Sequence, residues 1–389
     1  MKIHSVPDVF PTTGHSLYRQ PACASSGRIR ESESMNDEHR DLPHPEKGPT
    51  ILVTGGAGVI GTELLPRLVT GSAAPEIVAI VHRREIHRPG VRCIRGDVTA
   101  PHLGLGGAEY RSLARQVDVV VHAAANVSFK KSEDHAATNI VGTQQILRFA
   151  EQAGASLVHV STAFLHPADN SANPRASVRY ASSKRAAERL VREHPGPATI
   201  VRPSIVIGRS DDGAIGEFQG FYHVLSALRR GILPMLPFGR QWPLDLIPCD
   251  VVADAIATVI EQELYGREFW LTAGARALTL GETVDTVVAH SFTRGAPIQP
   301  PRFVAPDTYH RLIAPVFLDA LPRTMRMSVT SLMDLFEDYV SVQEPFPSSL
   351  DELAAAGANP PPDIRSCIRT SLDFWFDTTE EPAAAGAVA

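Results

Sequence analysis

A glycine-rich turn after a short apolar segment limits what this chain can fold into more than any other feature. Residues 50–54, TILVT, end in the pattern TGxxGxxG, and a helix-like segment, TELLPRLV, follows. Glycines permit a sharp strand-to-helix turn and let an anionic pyrophosphate approach bare N–H groups at the helix N-terminus. This order predicts a dinucleotide-binding βα unit. The residues expected to hold the cofactor are Thr54, Gly55, Gly58, Val59, Ile60 and Gly61.

Apolar segments and helical segments alternate after this turn. Strands are predicted over residues 76–81, 91–95, 117–122, 156–161 and 198–207, and helices over 139–152 and 180–193. The strands show no regular alternation of polar and apolar residues, which is typical of a parallel sheet buried on both faces. The predicted fold is α/β: a Rossmann-like doubly wound parallel sheet with a smaller, mainly helical C-terminal substrate-binding part.

Changes in composition divide the chain into four parts. Residues 1–48 are polar and punctuated by proline, and they are predicted to be a disordered tail. Residues 49–265 are predicted to form the NAD(P)-binding Rossmann domain, with a substrate-side insertion over 209–247. Residues 266–380 are expected to form a C-terminal cap, and 381–389 a frayed tail. Beyond residue 208, helices are predicted over 221–230, 250–264 and 327–340, and a strand over 268–272.

Charge and cysteine usage exclude several classes of protein. Lys plus Arg number 37 and Asp plus Glu number 43, a net charge of −6 that argues against a nucleic-acid partner. No apolar run approaches the roughly 18–20 residues that cross a bilayer, and no secretory signal follows Met1. A cytoplasmic location is therefore expected, with Met35 as an alternative start of translation. The four cysteines form no CxxC pair, and no metal site is predicted.

The end of the second predicted strand bears on the choice of cofactor. An enzyme that uses NAD usually has an acid there to bind the ribose 2′-hydroxyl. This chain instead has His82, Arg83 and Arg84, with no acid before Glu85. A guanidinium suits a 2′-phosphate, so Arg83 is predicted to favour NADP(H) over NAD(H). The next strand ends in Gly-Asp97-Val98, where Asp97 is positioned to accept a hydrogen bond from the adenine amino group.

A YxxxK motif supplies a candidate for proton transfer. Tyr180 and Lys184 share one face of a predicted helix, which follows a strand ending in Ser161-Thr162. A cation beside a phenol favours the phenolate, so Lys184 is expected to lower the pKa of Tyr180 toward the range useful for acid–base catalysis.

Together these motifs resemble the extended (atypical) branch of the short-chain dehydrogenase/reductase superfamily. Over about residues 50–265, the family's order is followed by TGxxGxxG, GDV, HAAA, TNIVGT, ST, YxxxK and VRPS. The resemblance implies that Thr162 and Tyr180 are catalytic, with Tyr180 as the general acid/base, and that Lys184 also holds the nicotinamide ribose. It implies further cofactor contacts by Ala123, Ala124, Pro203 and Ile205. Asn139 matches a family asparagine with either a structural or a catalytic role.

Within that superfamily the chain is nearest to the fatty acyl-CoA reductase and thioester reductase-like group. Residues 122–129, HAAANVSF, are similar to the group's HxAAxVxF segment, and residues 158–164, 200–208 and 247–252 resemble it as well. The group usually has Arg directly after the second strand, where this chain has His82. The resemblance implies an NADPH-dependent oxidoreductase that reduces a carbonyl or acyl-thioester carbon of an apolar substrate. Such a substrate would arrive as a coenzyme A or carrier-protein thioester.

Two other functions stay open on the same scaffold. One is a sugar-nucleotide or steroid-type dehydrogenase or epimerase. Sugar-nucleotide dehydratases have Asp-Glu after the catalytic Thr, where this chain has Ala163-Phe164, and epimerases usually keep the acid after the second strand. The other is a non-catalytic NADP-sensing regulator, which typically loses the YxxxK motif.

The predicted helix over 221–230 allows two interpretations. Phe221, Leu225 and Leu228 form one apolar face, which either packs on the Rossmann core or lines the cleft for an acyl chain. In the second case, Arg229 and Arg230 would bind the phosphate of a pantetheine arm.

Overall fold

The computed structural model describes residues 48–71, 74–127, 135–165, 176–320, 326, 329–330, 332–333, 340 and 343–379. The predicted tails and most of the helix predicted over 327–340 lie outside these residues. The strands are, in chain order, β1 Thr50–Thr54, β2 Glu76–Val81, β3 Val91–Arg95, β4 Val119–His122, β5 Ser156–Val160, β6 Ala198–Pro203, β7 Ile205–Ile207, β8 Met235–Leu236, β9 Pro243–Leu244, β10 Leu246–Pro248, β11 Glu268–Leu271, β12 Leu278–Thr279 and β13 Arg302–Phe303.

Helices flank and follow these strands. The α-helices are, in chain order, α1 Val59–Thr70, α2 Gly107–Ala114, α3 Thr143–Ala153, α4 Ala176–Arg192, α5 Phe221–Arg229, α6 Cys249–Glu261, α7 Leu280–Thr293, α8 Pro306–Thr308, α9 Ala314–Ala320, α10 Leu350–Ala355 and α11 Ile364–Thr379. Two tighter 3₁₀ turns cover Pro101–Gly104 and Gly274–Arg276, and two wider π turns cover Ala137–Gly142 and Tyr309–Ile313. None of the described helices combines the length and the apolar composition needed to cross a membrane.

A seven-stranded parallel sheet forms the centre of the molecule. Its strand order is β11-β6-β5-β4-β1-β2-β3, so the chain first builds outward from β1 to β3 and then returns to build the other half from β4. All residues of β1 and β4 are buried, as expected for strands covered by helices on both faces. The predicted Rossmann-like α/β fold is confirmed. The order reverses between β1 and β4, and ligands of such sheets bind in the crevice at the carboxyl ends of strands at this point.

The structure corrects two predicted boundaries. The strand predicted over 198–207 is two strands, because the chain leaves the central sheet at Pro203 and β7 pairs instead with β10 in a separate two-stranded sheet. The central sheet also continues past residue 265, the predicted end of the Rossmann domain. β11 pairs with β6 there because the side chains of Phe269 and Leu271 are fully buried in the core.

The C-terminal helices form a second apolar core beside the sheet. The buried face of α5, including Phe221, Leu225 and Leu228, packs in one cluster with Trp375 and Phe376 of α11. The face is therefore buried by packing and does not line the cleft, but its partners include the C-terminal helix α11, where packing on the Rossmann core was expected.

Candidate active site

A cavity of about 1280 Å³ opens at the carboxyl ends of the central strands. Its walls come from the turn after β1, the ends of β2 to β6, helix α4 and the loop between β7 and α5. It contains every predicted site residue except Thr54: the lining includes Gly55, Gly58, Val59, Ile60, Gly61, Arg83, Asp97, Val98, Ala123, Ala124, Thr162, Tyr180, Lys184, Pro203 and Ile205. Residues predicted from separate motifs thus surround one space.

The glycine turn leaves the N-terminus of α1 open to this cavity. Gly55 has a φ of +74°, and a Cβ there would lie 2.5 Å from the backbone of Ala123, while a Cβ at Gly61 would overlap the carbonyl oxygen of Gly55. Both positions therefore require glycine. Gly58 caps the helix without a side-chain hydrogen bond, and the first turn of α1 has no acidic residue. The N–H groups and the helix dipole are thus available to an anionic pyrophosphate, and the residues present fit a dinucleotide.

Thr54 lies behind the cavity wall, within a directional hydrogen-bond chain. The Ala124 N–H donates to Thr54 Oγ1 at 3.4 Å, and Thr54 Oγ1 lies 2.8 Å from His122 Nδ1. His122 Nε2 lies 3.2 Å from Thr143 Oγ1, which itself donates to the Asn139 carbonyl oxygen at 2.7 Å. The Thr143 hydroxyl uses its proton for the Asn139 carbonyl, so it can only accept from His122, and Nε2 must carry a proton. In the neutral ring Nδ1 is then the acceptor, and it accepts from the Thr54 hydroxyl. Thr54 therefore supports the cavity segment at residues 123–124 instead of reaching the ligand.

Burial keeps His122 neutral, as this chain of bonds requires. The ring is 1% exposed, and burial, helped by the nearby Lys184 charge, lowers the pKa of His122 to about 3. An imidazole of that pKa is neutral at physiological pH.

The ends of β2 and β3 form the positively charged end of the cavity. His82, Arg83 and Arg84 line it together with Asp97. Asp97 Oδ1 accepts hydrogen bonds from the N–H and hydroxyl of Thr99, at 2.9 and 2.7 Å. Burial opposes the ionisation of Asp97, but these bonds outweigh it and hold its pKa below the ordinary value. One carboxylate oxygen of Asp97 is thus occupied, and Oδ2 faces His82 at 3.8 Å.

The candidate catalytic residues meet at the ends of β5 and α4. The side chains of Thr162 and Tyr180 are hydrogen-bonded to each other, and Lys184 Nζ donates to the Val160 carbonyl oxygen at 2.8 Å. Thr162 and Lys184 are both buried, at 6% and 3% exposure. The three side chains are therefore gathered at one wall of the cavity, as the order of the motifs predicted.

The expected lowering of the Tyr180 pKa by Lys184 is wrong. Burial raises the pKa of Tyr180 to about 12, and the hydrogen bond with Thr162 offsets this only in part. Burial also lowers the pKa of Lys184 to about 8, against the opposing effect of the Glu188 carboxylate. Desolvation is the largest cause of both shifts, and the lysine ammonium donates to the Val160 carbonyl oxygen.

Asn139 holds the Tyr180 helix against the wall of the cavity. Its Oδ1 accepts from the Asn126 N–H at 2.8 Å, and its Nδ2 donates to the Asn126 carbonyl oxygen at 3.1 Å and to Ser183 Oγ at 2.9 Å. Ser183 Oγ in turn donates to the Tyr180 carbonyl oxygen at 2.7 Å. Asn139 sits in the π turn Ala137–Gly142, a type of irregularity frequent at functional sites.

Sequence reasoning missed other residues of the site. The ring of His135 is 4% exposed and lies 6.1 Å from the Tyr180 ring, between centroids. Glu188 is fully buried one helical turn after Lys184, and the i, i+4 spacing was a signal that pointed to it. Glu217 lines the cavity from the loop before α5, and nothing in the local sequence indicated that position.

Arg229 and Arg230 do not line the cavity, contrary to the proposed phosphate contact. Arg229 stacks on Trp375 at 4.5 Å and donates to Thr379 Oγ1 at 2.9 Å. Arg230 donates to the Ser226 carbonyl oxygen at 3.1 Å. Both stand at the C-terminal end of α5, whereas the residues before and at its start face the cavity. Those lining residues are Ile215, Glu217, Phe218, Gln219, Gly220 and His223.

Comparisons with known proteins agree with this architecture. The sequence model of the Male sterility protein family matches residues 84–256. The chain is 28% identical over 281 residues to peramine synthetase A of Epichloe festucae (strain Fl1), which covers 63% of this chain and 10% of that protein. The chain therefore spans about a tenth of the length of that relative.

Two solved structures share the fold. The terminal R domain from the myxalamid PKS-NRPS biosynthetic pathway superposes with a TM-score of 0.68 at 23% identity, covering 87% of this chain and 93% of the other. A thiolation-reductase di-domain from an archaeal non-ribosomal peptide synthetase has a TM-score of 0.62 at 17% identity, covering 85% and 75%. These matches and the motif order support the resemblance to the extended branch of the short-chain dehydrogenase/reductase superfamily, and within it to the thioester reductase-like group of NAD(P)-dependent oxidoreductases.

Proposed function

We propose that the protein is an NADPH-dependent reductase of a carbonyl or acyl-thioester carbon, with Thr162, Tyr180 and Lys184 as its catalytic residues. One observation carries the proposal: these three side chains line the same cavity as the glycine turn and the open N-terminus of α1. A cofactor whose pyrophosphate lies on that turn would extend along the strand ends toward Tyr180.

Each of the three residues has a role that follows from its contacts. A bound nicotinamide supplies a hydride to the substrate carbon. Tyr180 donates its proton to the substrate oxygen as the C=O double bond becomes a C–O single bond, and its pKa of about 12 keeps that proton in place at neutral pH. With a thioester, the C–S bond then breaks, the C=O bond re-forms as the aldehyde, and the hydroxyl proton leaves with the thiol. Thr162, hydrogen-bonded to Tyr180, orients the same oxygen. Lys184 supplies positive charge beside the site and holds the nicotinamide ribose.

Delivery as a thioester is the form of substrate that the comparisons favour. The archaeal neighbour joins a thiolation domain to its reductase, and the myxalamid neighbour is a terminal domain of a biosynthetic pathway. The cavity wall includes the apolar Phe164, two residues after Thr162, and from the loop before α5 and its first turn the apolar Ile215 and Phe218 with the polar Gln219 and His223. We infer an acyl group that is partly apolar, carried on a phosphopantetheine arm of coenzyme A or of a carrier protein.

The test is NADPH consumption by the purified protein with carrier-protein thioesters, coenzyme A thioesters, aldehydes and nucleotide sugars. We expect turnover with thioesters or aldehydes that rises with the apolar area of the acyl group, about 0.8 kcal/mol for each methylene that becomes buried. Turnover only with a nucleotide sugar would contradict the proposal and favour the epimerase or dehydratase alternative. Binding of NADPH without turnover on any of them would favour the regulator.

The pH dependence of the reaction is expected to report Lys184. Because burial lowers its pKa to about 8, Lys184 is almost fully protonated below about pH 7 and loses its proton as the pH rises through 8. Tyr180 stays protonated up to about pH 12, so it does not limit reduction in this range. We expect kcat/KM for reduction to be level below pH 7 and to fall about tenfold per unit above pH 8.

The matched variant for this profile is Lys184→Arg, since a guanidinium remains charged throughout the range. Its residual activity should lack the decline near pH 8. The same decline in this variant would assign the titration to another group.

A further inference from the structure

An ion pair spans the cavity at its positively charged end. Arg84 Nη2, just after β2, donates to Glu217 Oε2 at 3.1 Å, although the two residues are 133 positions apart. Both line the cavity that contains the glycine turn. Their side chains are 65% and 45% exposed, so a ligand can reach either group. The loop between β7 and α5 therefore brings a carboxylate to the end of β2, where the sequence itself has no acid before Glu85.

The position of Glu217 bears on the ribose of the cofactor. In this sheet type the ribose lies at the end of the second strand, where an acid favours the 2′-hydroxyl of NAD and a guanidinium favours the 2′-phosphate of NADP. The other carboxylate at this end, Asp97, already accepts two bonds from Thr99. Glu217 is thus the carboxylate that faces an arginine across the cavity.

We propose that Glu217 sets the cofactor selectivity of this enzyme by competing with a 2′-phosphate for Arg84. The inference rests on the proposed use of NADPH. A phosphate that binds Arg84 must displace Glu217, and it then lies beside a carboxylate of like charge. NADH leaves the Arg84–Glu217 pair intact. Glu217 therefore weakens the binding of NADP(H) and has little effect on NAD(H).

The experiment measures Kd for NADPH and for NADH by fluorescence titration of the full chain, without substrate, at low ionic strength. Glu217→Gln should tighten NADPH binding about three- to tenfold and change NADH binding less than about twofold. Arg84→Ala should weaken NADPH binding about tenfold. In the Arg84→Ala background, adding Glu217→Gln should tighten NADPH binding by a smaller factor than it does in the wild type, because the competition requires the arginine and only the like-charge repulsion remains.

Glu85→Gln is the matched control. Glu85 is an exposed carboxylate beside Arg84 in the sequence, and it is absent from the cavity lining. Glu85→Gln changes the net charge by the same amount as Glu217→Gln. Because Glu85 does not line the cavity, the effect of Glu85→Gln on NADPH binding should stay below about twofold. If Glu85→Gln and Glu217→Gln changed the Kd for NADPH equally, the change in net charge would explain both effects, and the proposed role of Glu217 would be wrong.

The outcomes separate this inference from the proposed function. If the wild type prefers NADPH and Glu217→Gln leaves the ratio of the two Kd values unchanged, the inference is wrong and the proposed cofactor stands. If the wild type prefers NADH but Glu217→Gln shifts the ratio toward NADPH, the role of Glu217 is supported and the proposed cofactor is wrong. Melting temperatures near the wild-type value would confirm that each variant is folded.

Discussion

Replacing Tyr180 by phenylalanine is expected to lower turnover about 100-fold or more, while the Kd for NADPH changes less than about twofold. The substitution removes the proton donor to the substrate oxygen and keeps the ring. The hydrogen bonds that hold this part of α4 come from the Ser183 hydroxyl and the Asn139 amide, so the backbone of the site should keep its place. Single-turnover kinetics and cofactor titration give the two quantities.

Tyr110→Phe is the matched control for this prediction. Tyr110 of α2 is also buried, but it packs against Phe149 of α3 and does not line the cavity. Its loss of a hydroxyl should leave turnover unchanged. Near-normal turnover in Tyr180→Phe would mean that the YxxxK motif is a structural pair and that another group protonates the substrate.

Arg202→Met is expected to destabilise the fold by about 3–5 kcal/mol, the usual cost of breaking a buried ion pair from one side. Arg202 donates to both carboxylate oxygens of Glu188, at 2.9 and 2.8 Å, and to Glu268 at 2.8 Å. Its side chain is 4% exposed and that of Glu188 is 0% exposed. Without the arginine, the Glu188 carboxylate stays buried and is left with Arg192. Urea unfolding of both proteins measures the difference.

Two further variants test the cause of that loss. Arg276→Met breaks an exposed pair with Asp351, and its cost should stay below about 1 kcal/mol. Adding Glu188→Leu to Arg202→Met should recover part of the stability, since it removes a buried carboxylate that has lost both of its hydrogen bonds from Arg202. If the double variant is no more stable than Arg202→Met, the lost stacking of Arg202 on Trp270, at 4.9 Å, explains the effect better.

The parts of the fold that could be predicted are those fixed by local pattern. β1, β2 and β3 begin and end at the predicted residues, because each is a short segment of strand-forming residues bounded by turn residues. The glycine turn could also be predicted. A left-handed backbone at Gly55 and the close contact of Gly61 with the Gly55 carbonyl oxygen both require glycine.

The parts that could not be predicted depend on long-range packing. Nothing in the sequence of β11 distinguishes a strand of the central sheet from a strand of the cap. The amphipathic pattern of α5 fits a core face and a cleft wall equally well, and only its contacts with Trp375 and Phe376 decide between them. The pKa of Tyr180 followed from burial, which spacing along a helix does not reveal, and Glu217 came from a loop 133 residues beyond Arg84.

The directional chain through His122 has a consequence for how this part of the molecule can evolve. Thr54, His122 and Thr143 belong to three separate elements, and each hydroxyl or ring proton has one assigned acceptor. A side chain that reverses or omits one bond leaves a buried partner unsatisfied in the next element, at a cost of about 1–3 kcal/mol. Positions 54 and 122 are therefore expected to change together: an apolar residue at 122 leaves the Thr54 hydroxyl proton without its acceptor, whereas Thr143 keeps its bond to the Asn139 carbonyl oxygen.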